Sequence, residues 1–168
     1  MKTYVITLSQ VFPTGHKRSG EPTKFRAAFQ SGQTCSKCKK RNPAMCTGEC
    51  FSGLKIHTIR ANYPLWLKRI TEVQQGKAVL SIRQWTGKPY RSQQKELARL
   101  TMEDGIGLQR LTFSREMCNF EVDSKGYAIH AGTLAKNDGL SYNDWVEWFK
   151  DTALSQPLAI IHFTKFRY

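Results

Sequence analysis

The hydrophobic positions of this 168-residue chain fall into short alternating runs separated by turn residues, with few long helical stripes. Tyr4, Ile6 and Leu8 share one side of an extended segment and Val5 the other, which predicts a strand over residues 3–8. From Val11 to Thr34, Pro13, Gly15, Gly20, Pro22 and Gly32 interrupt a stretch carrying His16, Lys17, Arg18, Lys24 and Arg26. That composition predicts a long basic loop over residues 11–34, with at most short ordered pieces. Loops of such length in compact domains tend to carry function. Pro64 at one end, Gly76 at the other, and Leu65, Leu67, Ile70 and Val73 between them predict a helix. A strand follows over Lys77–Trp85 and stops at the turn Thr86–Tyr90.

Gln93–Leu100 fits a short helix or a strand, whereas Ile106–Phe113 has strand periodicity. Residues 116–123 and 125–131 predict a hairpin. Asn137-Asp138-Gly139-Leu140-Ser141 ends one short helix and opens another, with Ser141 as N-cap and Asp144 in its acidic first turn. Trp145, Trp148 and Phe149 supply the apolar face of that second helix. The run Pro157–Phe166 predicts a buried strand. Strands at uneven spacing with a few short helices predict a single α+β domain, residues 1–168, on a small, curved or barrel-like sheet.

Charge changes this picture by dividing the chain. Residues 1–100 hold 19 lysines and arginines against four acids, while residues 101–168 hold seven against nine, within a net charge of +13. A field of that sign favours a polyanion, with nucleic acid the leading partner and an anionic membrane surface the second. No run approaches the roughly 20 apolar residues of a membrane span, and the first residues lack a secretory apolar core. The expectation is a soluble cytoplasmic protein.

Four of the five cysteines lie within 16 residues as Cys35-x-x-Cys38 and Cys46-x-x-x-Cys50, inside an insert spanning 35–50. In a reducing compartment two close pairs fit a structural Zn²⁺. Unliganded thiols, or two disulfides in an exported protein, are the other readings. Cys118 lies apart and reads as a core residue. His16, His57, His130 and His162 have no metal-binding spacing; His162 sits in the apolar last strand, and His16 and His57 are in reach of an anion or structural.

The candidate chemistry gathers at Gly53-Leu54-Lys55-Ile56-His57-Thr58-Ile59-Arg60. Strict strand alternation puts Lys55 and Thr58 on opposite sides, so only a turn near Gly53, a bulge or a helical turn lets them share a ligand. A buried lysine has a depressed pKa and can activate a hydroxyl; with Arg60, Lys55 can equally hold a phosphate. Trp85 and Tyr90 flank the Gly87-Lys88-Pro89 turn beside Arg83, Lys88 and Arg91. Aromatics interleaved with cations suit stacking of bases and contact with phosphates in single-stranded nucleic acid.

Gly53-x-Lys55-x-x-Thr58-x-Arg60 resembles the G-x-K-x-x-T-x-R signature of the ASCH (activating signal cointegrator homology) domain family. The order of first strand, motif, strand after Gly76, late Asp138-Gly139-Leu140-Ser141 turn, helix and last apolar strand is similar too. The resemblance implies a PUA-like β-barrel with short flanking helices and an RNA- or nucleotide-directed function. Characterised relatives include N4-acetylcytidine amidohydrolases, which use the motif lysine and threonine with a glutamate in the late turn, and a ribonuclease. By that resemblance Lys55 is the base or activator, Thr58 the attacking or positioning hydroxyl, and Asp138 the late-turn acid, one methylene shorter. Lys55, His57, Arg60, Arg83, Trp85, Lys88, Tyr90 and Arg91 form the expected nucleic-acid contact set.

Overall fold

The computed structural model describes residues 1–33, 54–114, 119–126 and 128–168. It is an α+β structure whose strands form two sheets. The smaller sheet has the order β1 (Lys2–Leu8), β3 (Ala78–Trp85), β4 (Gln94–Leu100). The larger has the order β2 (His57–Arg60), β8 (Leu158–His162), β5 (Gly107–Ser114), β6 (Asn119–Val122), β7 (Ala128–Ile129). Among the described residues no closed barrel forms, in place of the expected one. β1 and β3 pair in parallel, with Thr7 opposite Arg83 and Leu8 opposite Gln84; the other pairs are antiparallel.

Helix α1 (Phe25–Gln33) replaces the last third of the predicted basic loop. Its buried residues Phe25, Ala28, Phe29 and Gly32 recur at three- and four-residue steps, a helical face that the surrounding glycines and cations obscure in the sequence. Helix α2 (Tyr63–Gln74) starts as expected around Pro64. Asn62 caps it, accepting from Leu65 N at 3.2 Å, and its end meets Gly76 at φ +69°. The ambiguous segment at 93–100 is strand β4, because the apolar edge of β3 gives it a partner from Leu100 back to Gln94. Helices α3 (Ala131–Asn137) and α4 (Tyr142–Phe149) flank the Asp138 turn, and the Ser141 hydroxyl accepts from Asp144 N at 3.1 Å.

The strand at the centre of the core is β8, in which every residue is buried. Ala159 and Ile161, with Phe163 beyond, pack with Phe29, Ile70, Leu80 and Ile82. On its other face Leu158 and Ile160 pack with Leu111, Val122, Leu134 and Trp145. A strand covered on both sides reads as an unbroken apolar run, which is why the last segment was legible. Each such side chain contributes about 1.5–3 kcal/mol by leaving water. No helix among the described residues is long and apolar enough to cross a membrane.

Candidate functional site

The motif begins with a short break in strand geometry. Lys55 is not part of β2; it forms a separate antiparallel bridge to Asp138, while Ile56 donates to Asn137 O and accepts from Phe163 N, each at 2.9 Å. The backbone at Lys55–Ile56 is thus tied to the end of α3 on one side and to the continuation of β8 on the other. Regular alternation resumes at His57. The break lets Lys55, Thr58 and Arg60 line one cleft, and the separation that an ideal strand imposes on Lys55 and Thr58 is lifted.

Two glycines permit this close assembly. Lys55 N donates to Ala28 O of α1 at 2.9 Å, and a Cβ on Gly32 would lie 2.7 Å from the Lys55 carbonyl oxygen. Gly139, at φ +77°, takes the chain away from Asp138 in a left-handed conformation, and a Cβ there would meet Lys55 Cβ at 3.1 Å. The turn after α3 therefore lies directly against the motif lysine.

Lys55 is 1% exposed and Asp138 3%. The Lys55 ammonium donates to the Asp138 carboxylate and, at 2.7 Å, to the Asp138 carbonyl oxygen. It also sits 4.1 Å from the centre of the Phe25 ring. Burial lowers the Lys55 pKa, and the attraction of Asp138 offsets part of that shift. Burial likewise raises the Asp138 carboxyl, countered by Lys55 and then by Arg60. Arg60 donates to Ile59 O at 3.1 Å and to Thr7 O at 3.2 Å, which ties β2 to the end of β1. Thr58 is 2% exposed and lines the cleft with them.

These groups open on a cleft of about 120 Å³. Thr7, Leu8 and Ser9 at the end of β1 form one side; Phe25, Leu140, Trp148 and Phe149 give it an aromatic and apolar wall. That volume lies well below the roughly 300–1,000 Å³ of drug-sized sites, so it admits a single ring or a small polar group.

His57 goes the other way. Its ring is 0% exposed, 5.6 Å from His162, its direct partner on β8, and it shares a 2.8 Å hydrogen bond with the Tyr168 hydroxyl. A ring closed in this manner has no path to a polyanion, so His57 leaves the contact set. His16 is also internal, stacked on Phe12 at 4.4 Å and accepting from Arg18 N.

The remaining contact residues lie on the β3–β4 hairpin. Leu8 lines the cleft and pairs with Gln84, so the hairpin leaves the small sheet beside the cleft. Tyr90 is 90% exposed at φ 62°, with its ring 5.3 Å from that of half-buried Trp85. Lys88 and Arg91 are exposed, whereas Arg83 is held by Ser81 at 2.8 Å and faces Glu96. Sequence reasoning missed Phe25, Trp148 and Phe149 as cleft walls and Ser9 as a polar lining residue; the recurrence of Phe25 within a helical face was the available signal.

Cys35, Cys38, Cys46 and Cys50, proposed for Zn²⁺, lie outside the described residues, as do Gly53 and Cys118. Among the described residues no cluster of three or more histidine, cysteine or acidic side chains could hold a metal ion. Compared with models of protein families, with curated proteins and with solved structures, the chain matches none of them.

Proposed function

We propose that this chain is an ASCH-type, PUA-like module that binds single-stranded nucleic acid, RNA in the first place, with one base-sized group entering the Lys55 cleft. The observation that carries the proposal is the convergence of Lys55, Thr58, Arg60 and Asp138 on one small cleft beside a hairpin that presents Trp85, Lys88, Tyr90 and Arg91. The cleft takes the base, the hairpin rings stack on neighbouring bases, and the exposed cations meet phosphates.

Fluorescence anisotropy with a short single-stranded RNA tests it. Affinity falls steeply between low and physiological salt, and Tyr90→Ala costs about 1–3 kcal/mol of binding. Affinity that is flat with salt, or indifferent to Tyr90, overturns the proposal.

A second reading is favoured by Thr58, which lines the cleft next to a lysine whose pKa is lowered. In it the cleft hydrolyses an amide such as that of N4-acetylcytidine. Thr58 Oγ1 attacks the carbonyl carbon and its proton passes to Lys55, whose own extra proton has first moved onto the paired Asp138 carboxylate. The C–N bond breaks with return of the proton to the amine, and water then releases acetate from Thr58. Incubation with N4-acetylcytidine checks it: no release of cytidine, or release that persists in Lys55→Ala, removes this reading.

A further inference from the structure

A second cavity, distinct from the Lys55 cleft, lies between α4 and the β5–β6 pair. It measures about 360 Å³, within the roughly 300–1,000 Å³ typical of small-molecule sites. Phe113, Phe120, Trp145 and Phe149 line it as a connected series of rings, with successive centroids 5.4, 5.5 and 4.8 Å apart. Tyr142, Val146 and Leu154 also line it, and they are 52%, 44% and 39% exposed. Three large apolar side chains left in water around one concavity mark a surface suited to an apolar ligand.

The chemistry of the lining narrows the ligand. Among the described residues Lys150 is the one lysine or arginine in it, and its ammonium is already bonded to Glu147 at 2.7 Å and Gly15 O at 2.8 Å. An anion therefore gains no free lysine or arginine among the described residues there. The Trp145 indole N–H is buried and directed toward the Asp138 carboxyl, so the cavity is left with its ring face and edge. Aromatic walls favour flat rings, through offset and edge-to-face packing.

The cavity also has a route to the cleft. Phe149 lines both, and its ring packs on Trp145 in the cavity, while Trp148, its neighbour on the same helix, lines the cleft. We propose that the cavity between α4 and β5–β6 binds a small, flat, uncharged aromatic molecule, and that its occupancy alters the Lys55 cleft through the shared Phe149 wall. This holds whatever the cleft itself binds, and by linkage the effect is reciprocal.

The test uses indole as the probe and the full chain labelled with ¹⁵N at its tryptophan side chains. The Trp145 N–H signal moves saturably on titration, the Trp148 signal follows with the same midpoint, and Trp66, on the buried face of α2 and in neither lining, stays in place. Tyr142→Ala removes one aromatic wall and weakens the midpoint about threefold to tenfold. Val146→Phe narrows the cavity and weakens it as well; both positions are exposed, so the fold is retained, and circular dichroism verifies this. Absence of a saturable Trp145 shift, or a midpoint unchanged in both variants, overturns the binding site. A Trp145 shift without any at Trp148 overturns the coupling.

Discussion

The two faces of β2 carry opposite solutions to the same problem. On one, Thr58 and Arg60 join Lys55 and Asp138, where the buried lysine ammonium has a carboxylate partner and the group opens on a cleft. On the other, His57 packs on His162 and Tyr168 in a closed interior; His57 Nδ1 and both His162 ring nitrogens lack hydrogen-bond partners among the described residues. A buried charge survives by being paired, and a buried imidazole survives by being neutral. Burial holds His57 well below its ordinary pKa and His162 down to about 3. One face is built to meet a ligand, the other to stay dry.

The pair is where the comparison breaks most visibly. Asp138→Ala strands the Lys55 ammonium in the interior and lowers unfolding stability by about 3–5 kcal/mol in urea denaturation. The double variant Lys55→Met with Asp138→Leu regains most of that loss, because no charge is left unpaired. If the single and double variants lose equally, the pair is not the reason for the effect.

Acid attacks the other face. The folded-state pKa values of His57 and His162 lie below the unfolded value of about 6.5, so their contribution is present above that pH and is lost as pH falls, for His162 over the window down to about 3. Stability drops by about 1.4 kcal/mol per pH unit for each ring once pH is below 6.5. Replacing His57 and His162 by phenylalanine flattens the slope, measured from denaturation midpoints at pH 7, 6 and 5; an unaltered slope assigns the acid sensitivity elsewhere.

Gly139→Ala tests the turn that brings Asp138 to Lys55. A side chain at φ +77° that also presses on Lys55 Cβ costs about 1–2 kcal/mol. Thermal unfolding registers it as a lowered Tm, and an unchanged Tm means that the turn relaxes freely. The smallest stability effect is expected at Thr58→Val. Its side chain lines the cleft and valine keeps its shape, so stability changes by less than about 1 kcal/mol while cleft binding or turnover falls. A large loss of stability there makes Thr58 structural and sharpens the contrast the other way.

Much of the fold was legible because its signals are local. Pro64 and Gly76 bracket α2, Ser141 caps α4, and β8 shows the unbroken apolar run of a strand buried on both faces. α1 was missed since Gly32 and the cations around it read as loop; that glycine is needed for contact with the Lys55 backbone, a tertiary demand. The candidate site was half legible. Lys55, Thr58 and Arg60 stood out as a motif, and Asp138 was reached through its resemblance to a family turn, but the walls from Phe25, Trp148 and Phe149 were not. His57, inside the motif, carries no sequence mark of the face it occupies.

What the sequence by itself determined was most of the elements, though not α1 or the type of β4, the split of charge between the two parts of the chain and the short list of chemically capable residues. Those follow from periodicity, caps and composition, which act over a few residues. Only the tertiary structure decided that Lys55 meets Asp138, 83 residues away, and that Thr58 faces them while His57 does not. That outcome rests on a single irregular step at Lys55–Ile56, set by hydrogen bonds to three distant segments. Desolvation then made one side of the strand a charged pair at a cleft and the other a pair of neutral rings.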